Sequence, residues 1–367
     1  MKFRLTFVWF FTAMLLPAWL VAQAPKYSNE FLSIGVGARA LGLSNAYTAL
    51  ANDGTAGFWN PAGLTQIKSN MQLSLMHTQY FAGVARYDFG SLAFRAAGGS
   101  HFAFSFIRFG VDDIPDTSEL IDAEGNINYD RIRSFSASDN AFLISYARLF
   151  PGIENLSIGV NAKIIRRKAG AFAGAWGFGL DAGAQYQVNS WRFAAMARDI
   201  TSTFNAWSYN FDDKMREVLT LTGNEIPESS LEITLPRLIL GVARQLGFGK
   251  DFGLIASVDM AITTDGRRNV LIKGDPFSLD PSLGLEFSFK DMVFFRTGIG
   301  GYQRYTRNNQ IYRGGIQANL GVGINIGQRL SIDYALTDVG DQSVALYSNV
   351  FSLRFNIDRR ERPQYDE

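Results

Sequence analysis

SIGVGARALGLSNAYTALANDGTAGFWNPAGLTQI, Ser33 to Ile67, differs in kind from the rest of the chain. It is rich in Gly and Ala, alternates little, and carries two turn signals in a short space. Ala38 to Ala51 is mostly small residues and good helix formers, which predicts a short helix or two that pack closely. Asn52-Asp53-Gly54 is a turn signal. Pro61 biases Asn60 to an extended conformation. Asn60 is a good N-cap and Pro61 a good first helical residue, so a helical turn is expected to start there. A helix-loop-helix leader on a soluble domain would look the same locally, and the remainder of the chain argues against it.

From about Met71 onward the chain alternates apolar and polar residues, one strand-length at a time. In Trp176 to Tyr186 one face is Trp, Phe, Leu, Ala and Tyr, and the other is Gly, Asp and Gln. Leu156 to Ile164, Leu283 to Phe289 and Ile316 to Ile326 repeat the pattern, and a period of two puts the two sets on opposite faces of a strand. A soluble sandwich or lipocalin-like barrel also alternates. Here the polar face carries Gly, Ser, Asn, Gln and charges of both signs (Lys163, Asp181, Asp259, Glu286, Arg296, Asp333, Arg354), as a wet or plugged lumen requires. Many runs exceed the ~9–11 residues that cross a bilayer at a tilt. Aromatics cluster near run ends, as at Tyr80-Phe81, Trp191, Tyr347 and Phe355, as interface girdles do.

The connections sort by length. About fourteen strands are expected between Met71 and Ile357, an even number. One set of alternate connections is short: Ala97-Gly98-Gly99, Pro151 to Glu154, Val188-Asn189-Ser190, Gly247 to Asp251, Lys290-Asp291 and Gly327-Gln328. The other holds every long one: Val111 to Ala137, Ile200 to Thr234, Thr264 to Pro281 and Gly301 to Tyr312. In an up-and-down barrel this puts all long loops on one rim, the extracellular one, with both chain ends periplasmic. The fold class is therefore all-β: an outer-membrane antiparallel β-barrel of about fourteen strands with an N-terminal, partly helical plug, or hatch, in its lumen.

The chain's start fits this address. Met1-Lys2-Phe3-Arg4, the apolar run Leu5 to Leu16, Pro17 and the small residues before Gln23 have the three parts of a secretory signal peptide. The expected organisation is 1–22 signal peptide, 23–69 hatch, 70–357 transmembrane barrel and 358–367 polar C-terminal tail. Removing Lys2 and Arg4 leaves 33 basic against 34 acidic residues, so no basic excess points to nucleic acid. No later run gives 18 unbroken apolar residues, so no transmembrane helix is expected in the mature chain. Aromatics at 14% and 36 Gly in a secreted chain with no Cys suit a barrel embedded in outer-membrane lipid.

Chemistry-bearing motifs are few. There is no Cys, and the two His, His77 and His101, sit in strand-like runs, so neither a metal site, a cofactor site nor a catalytic triad is expected, and the protein reads as a non-enzyme. The acidic stretch Asp112 to Asp130 reads as a solvated loop, because Asp122-Ala123-Glu124-Gly125 places its Gly too early for an EF-hand. Gly321-Val322-Gly323 lies inside an alternating strand, where Gly makes room for the plug. Arg39 is the one charge in the first part of the hatch. Buried, it needs a partner, and Asp181, Asp259, Glu286 and Asp333 are the lumen-facing candidates. Phe204 and Trp207, beside the longest expected loop, are candidate partner-contact residues, with Trp207 equally readable as a girdle residue.

Phe31 to Leu43, Ala46 to Asp53 and Phe58 to Leu64 together resemble the PorV/PorQ family of the type IX secretion system of Bacteroidetes, within the larger FadL class of outer-membrane proteins. The resemblance covers the mature chain and is most specific at the hatch motif Trp59-Asn60-Pro61-Ala62-Gly63. It implies a fourteen-stranded barrel with an N-terminal hatch. It also implies a component that contacts secretion partners or the signal domains of cargo. A FadL-like transporter of hydrophobic small molecules is the alternative. A transporter needs an apolar pocket and a lateral exit near the hatch, whereas an adaptor needs a closed lumen and exposed apolar loop residues. The polar, mixed-charge lumen face leads to the adaptor as the expectation.

Overall fold

A computed structural model describes residues 28–121, 125–227, 229–307, 310–339 and 347–358. The expected signal peptide, the first residues of the hatch and the polar tail beyond 358 lie outside them. The strands are β1 Met71–Tyr80, β2 Ala85–Arg95, β3 His101–Asp116, β4 Arg133–Leu149, β5 Leu156–Ala169, β6 Ala173–Val188, β7 Trp191–Arg198 and β8 Thr203–Tyr209. Then come β9 Ser230–Thr234, β10 Arg237–Phe248, β11 Phe252–Thr263, β12 Ser278–Phe289, β13 Val293–Arg307, β14 Gln310–Ile326, β15 Leu330–Thr337 and β16 Ser348–Ile357.

Neighbours pair antiparallel all the way round, and β1 closes the ring on β16, with Met71 opposite Ile357 and Gln79 opposite Asn349. Two wall strands are each interrupted once. The lower half of β6 pairs with β7 and its upper half with β8. β7 in turn pairs with β10, and β8 with β9. Thus β7 and β8 are two lengths of one wall strand, β9 and β10 two lengths of the next, and the closed wall has fourteen strands.

The stretch Ile200 to Thr234, expected as a loop, instead contains β8, the helix Asp213–Leu221 and β9. Asp199 and Ser202 mask the pattern, because their positive φ of 56° and 57° breaks the alternation before it resumes. β3 likewise runs on past Val111 to Asp116 through a bulge between Val111 and Ile114. The six connections at the rim where β1 starts and β16 ends are all short, and the long ones lie at the opposite rim, beside short ones at 81–84 and 170–172; Gly301 to Tyr312, expected as a long connection, is instead mostly strand, with β13 reaching Arg307 and β14 starting at Gln310.

The outer face of the wall is apolar and open. On β6, Trp176, Phe178 and Leu180 are about half exposed at 50%, 46% and 48%, while the alternating Gly177, Gly179 and Asp181 are buried. Val160, Phe104, Phe142 and Leu283 continue the band on other strands. So much exposed apolar surface is unfavourable in water and is what lipid contact requires.

The interior is filled from Ser28 to Ile67. This stretch carries the helix Ala38–Gly42, the helix Ala56–Trp59 and the 3-10 helix Pro61–Gln66, and its buried Val36, Leu43, Tyr47, Leu50, Trp59 and Leu64 share one core cluster with Tyr87, Ile107 and Ile165 of the wall. Ala38–Gly42 ends early because Ser44 and Asn45 take left-handed φ of 50° and 68°. Asn60 is extended at φ −162° and its side chain accepts from Ala62 N at 3.1 Å, with Pro61 first in the adjoining helical turn.

Candidate functional site

The lumen is a polar socket cut to the hatch. Where the two backbones approach, the wall has Gly: a Cβ on Gly183 would lie 2.1 Å from Asn60 Oδ1, one on Gly159 2.5 Å from Ala62 N, and one on Gly321 3.2 Å from Gly42 Cα. Polar wall side chains then satisfy hatch backbone groups that have no helix or strand partner. Gln185 Nε2 donates to Thr48 O and Ala51 O, both at 3.0 Å. Asn161 donates to Gly57 O at 2.7 Å and Asn319 to Leu41 O at 2.8 Å.

The hatch motif is divided between hatch and wall. Trp59 Nε1 donates to Val36 O at 2.8 Å and its ring meets Phe58 and Tyr47 edge-on. Asn60 Nδ2 donates to Ala184 O of β6 at 3.0 Å. Pro61 and Ala62 lie over Gly159, and Gly63 has no room for a Cβ because Ala51 O would be 2.1 Å from it.

Of the four carboxylates expected near Arg39, only Glu286 meets it. Arg39 Nε and Nη2 donate to the two oxygens of Glu286, both at 2.8 Å, a bidentate pair. Glu286 also accepts from Arg296 Nε at 2.6 Å, and Arg296 passes on to Asp333 at 2.7 Å. Asp259 accepts from the hatch amides of Tyr47 and Thr48 at 3.1 and 2.8 Å. Asp181 pairs with Lys163 at 2.7 Å.

Arg198, not singled out from the sequence, is buried and donates to Leu32 O and Phe58 O at 3.3 and 2.9 Å, with its guanidinium 4.4 Å from the Phe58 ring centre. It ends β7 just before the break, where no run of alternation marks its face.

The break in the wall strand is a built feature. Arg198 and Thr203 on one strand pair with Arg237 and Thr234 on the next, so the four residues 199–202 oppose the two residues 235–236. Lys163 is held by Asp181 and Asp199, Thr203 Oγ1 donates to Asp199, and Ile200 N donates to Leu180 O at 2.9 Å. The first described hatch residues lie here, Asn29 bonding to Asn205 at 3.0 Å and to Thr234 at 2.8 Å.

Phe204 and Trp207 belong to β8 and not to a loop. Phe204 faces outward beside Phe178, ring centres 5.8 Å apart. Trp207 is half-buried, with Nε1 donating to Glu232 at 2.7 Å and the Arg167 guanidinium 5.0 Å from its ring, so it is committed within the barrel.

Two cavities flank the hatch. The one toward the long loops, about 630 Å³, is lined by Ile34, Trp59, Tyr80, Phe81, Phe109 and Ile239 together with polar and charged groups. The one toward the short turns, about 840 Å³, is more polar, with Arg39, Lys68, Arg192, Glu286 and Lys290 in its lining. They share no lining residue, so the hatch separates them.

No known family profile and no curated protein matches the sequence. Solved structures do. The CymD monoaromatic hydrocarbon channel is 14% identical with a TM-score of 0.55, over 89% of this chain and 99% of that one. The toluene transporter TodX of P. putida is 12% identical with a TM-score of 0.52, over 89% of this chain and 99% of that one. This chain has the FadL-type fold of these channels. With its apolar outer belt, it is an outer-membrane barrel.

The expected type IX secretion role is corrected by this finding. The FadL-type barrels it matches are a hydrocarbon channel and a toluene transporter, and nothing found points to PorV/PorQ, a secretion component or a cargo signal domain. The adaptor expectation rests on lumen polarity. That polarity is largely consumed by the hatch, through Gln185, Asn161, Asn319, Asp259 and Glu286.

Proposed function

We propose that this barrel carries hydrophobic small molecules across the outer membrane, with the long loops outside and the ends of the wall in the periplasm. The observation that carries the reading is the plugged fourteen-strand lumen with a partly aromatic cavity, Trp59, Tyr80, Phe81 and Phe109, on the long-loop side of the hatch. Similarity of fold to a hydrocarbon channel and a toluene transporter supports it. A hydrophobic solute gains free energy on leaving water for such a cavity, at about 25 cal/mol per Å² of apolar surface buried. No straight path leads on, because the hatch divides the two cavities. The break at 199–202, beside the start of the described hatch, is the proposed side exit from the lumen toward the membrane.

The test is uptake of dilute radiolabelled toluene by cells that lack other aromatic-hydrocarbon channels, with and without this protein in their outer membrane. Several-fold faster uptake is expected. Uptake equal to the empty strain, with the barrel inserted and resistant to unfolding in cold detergent, rules the reading out.

A further inference from the structure

A hydrocarbon offers no hydrogen bond, yet the outer cavity contains an unmet demand for one. Asp280, on the lumen face of β12, lines the cavity. Its Oδ1 is buried with no partner, and among the described residues its carboxylate is in neither a hydrogen bond nor an ion pair.

Arg237 lines the same cavity. Its one side-chain hydrogen bond among the described residues runs from Nη2 to Ser33 Oγ at 2.9 Å, and it forms no ion pair with Asp280, although its charge is near enough to act on that carboxylate. The lining charges balance: Glu30, Asp259 and Asp280 against Arg198, Arg237 and Arg268. A balanced site gives a net ion no general advantage. A carboxylate and a guanidinium that do not touch call for a group that donates to one and accepts from the other. A hydroxyl does both. Ile34, Ile239, Ala261 and Val270 in the same lining offer apolar surface for the body of such a molecule.

We infer that the outer cavity selects uncharged amphiphiles whose hydroxyl sits between Asp280 and Arg237, such as alkylphenols, over the matching hydrocarbons. This deepens the channel reading and rests on it for the cavity being a ligand site.

Calorimetric titration of the purified barrel in detergent with 4-propylphenol, propylbenzene, 4-propylbenzylamine and 4-propylbenzoate tests the inference. The phenol is expected to bind at least tenfold more tightly than the other three. Asp280→Leu and Arg237→Met are each expected to bring the phenol to the level of propylbenzene and leave propylbenzene unchanged, which also shows that the cavity is intact. Equal binding of phenol and propylbenzene by the unaltered protein overturns the inference and leaves the channel reading standing. Tighter binding of the amine or the benzoate overturns it in favour of a single-charge site. Failure of all four to bind overturns the channel reading with it.

Discussion

Glu286 serves two arginines from distant parts of the chain, Arg39 in the hatch and Arg296 on the neighbouring strand β13. Removing one member of a buried ion pair costs about 3–5 kcal/mol, because the charge left behind is uncompensated, whereas replacing the pair with apolar groups is often neutral. Glu286→Leu is therefore expected to lower the thermal unfolding midpoint strongly and to expose the hatch to protease. Adding Arg39→Met should recover a good part of the loss, and a double-mutant cycle on the midpoint checks it. That Arg39 needs a carboxylate was legible in the sequence. Which carboxylate was not, because Asp181, Asp259, Glu286 and Asp333 all satisfy the period of two, and only the angle at which the hatch enters the ring decides.

A second ion pair lies on the long-loop rim. Burial pushes the Asp265 carboxyl up, but its hydrogen bonds with Arg268 and that guanidinium's charge outweigh burial and hold it below the usual aspartate value. A depressed carboxyl contributes its stability in full above the unfolded value, about 4, and loses it as pH falls through the lower folded value. Arg268 also reaches Glu30 of the hatch at 3.0 Å. Amide exchange in 264–277, corrected for its intrinsic pH dependence, is expected to be flat from pH 7 to 5 and to quicken below about pH 4.

Among the elements, the interrupted wall strand departs most from what alternation predicts. Residues 199–202 carry two more residues than the segment they oppose. Such an insertion bends a strand and re-aims its side chains. Deleting Ile200 and Thr201 equalises the two segments and should let β7 run straight into β8. The expected outcome is a barrel that still inserts and resists unfolding but has lost most of its toluene uptake. Unchanged uptake would show that the break is not on the path. The break was hard to read because Asp199 and Ser202 look like the end of a strand, and the seven residues of β8 beyond them are too few to re-establish a period.

At the scale of the molecule, the wall was legible because every wall strand answers to the same two solvents. Lipid outside and a polar socket inside impose one alternation from Met71 to Ile357, and the sorted turn lengths close it into an even-numbered ring. Function was less legible for a physical reason. A lumen-facing Gln or Asp has the same sequence signature whether it hydrates a pore, binds a ligand or accepts from a plug, and here Gln185 and Asp259 serve the plug. Removing residues 28–67 should therefore leave a wide, polar, water-filled tube. In planar bilayers the intact protein is expected to show little ion conductance and the deleted form steady large openings, with toluene selectivity gone.

The hatch grips both sides of the line where the ring closes. Gly54 N donates to Gln72 of β1, whose Nε2 donates to Asn356 of β16 at 2.7 Å. Asp53 pairs with Arg354 of β16 at 3.3 Å, and Ala38 N donates to Ser352 of β16 at 2.8 Å. β16 is the last strand of the wall to be made and the hatch precedes the first. These contacts suggest an order for biogenesis. A segment tied to the first strand, and fitted to notches at Gly159, Gly183 and Gly321, is most simply enclosed while the sheet is still an open trough. On that order the final strand would zip against the first over a clasp already in place, and the residues that close the passage in the finished protein would also align its seam during assembly.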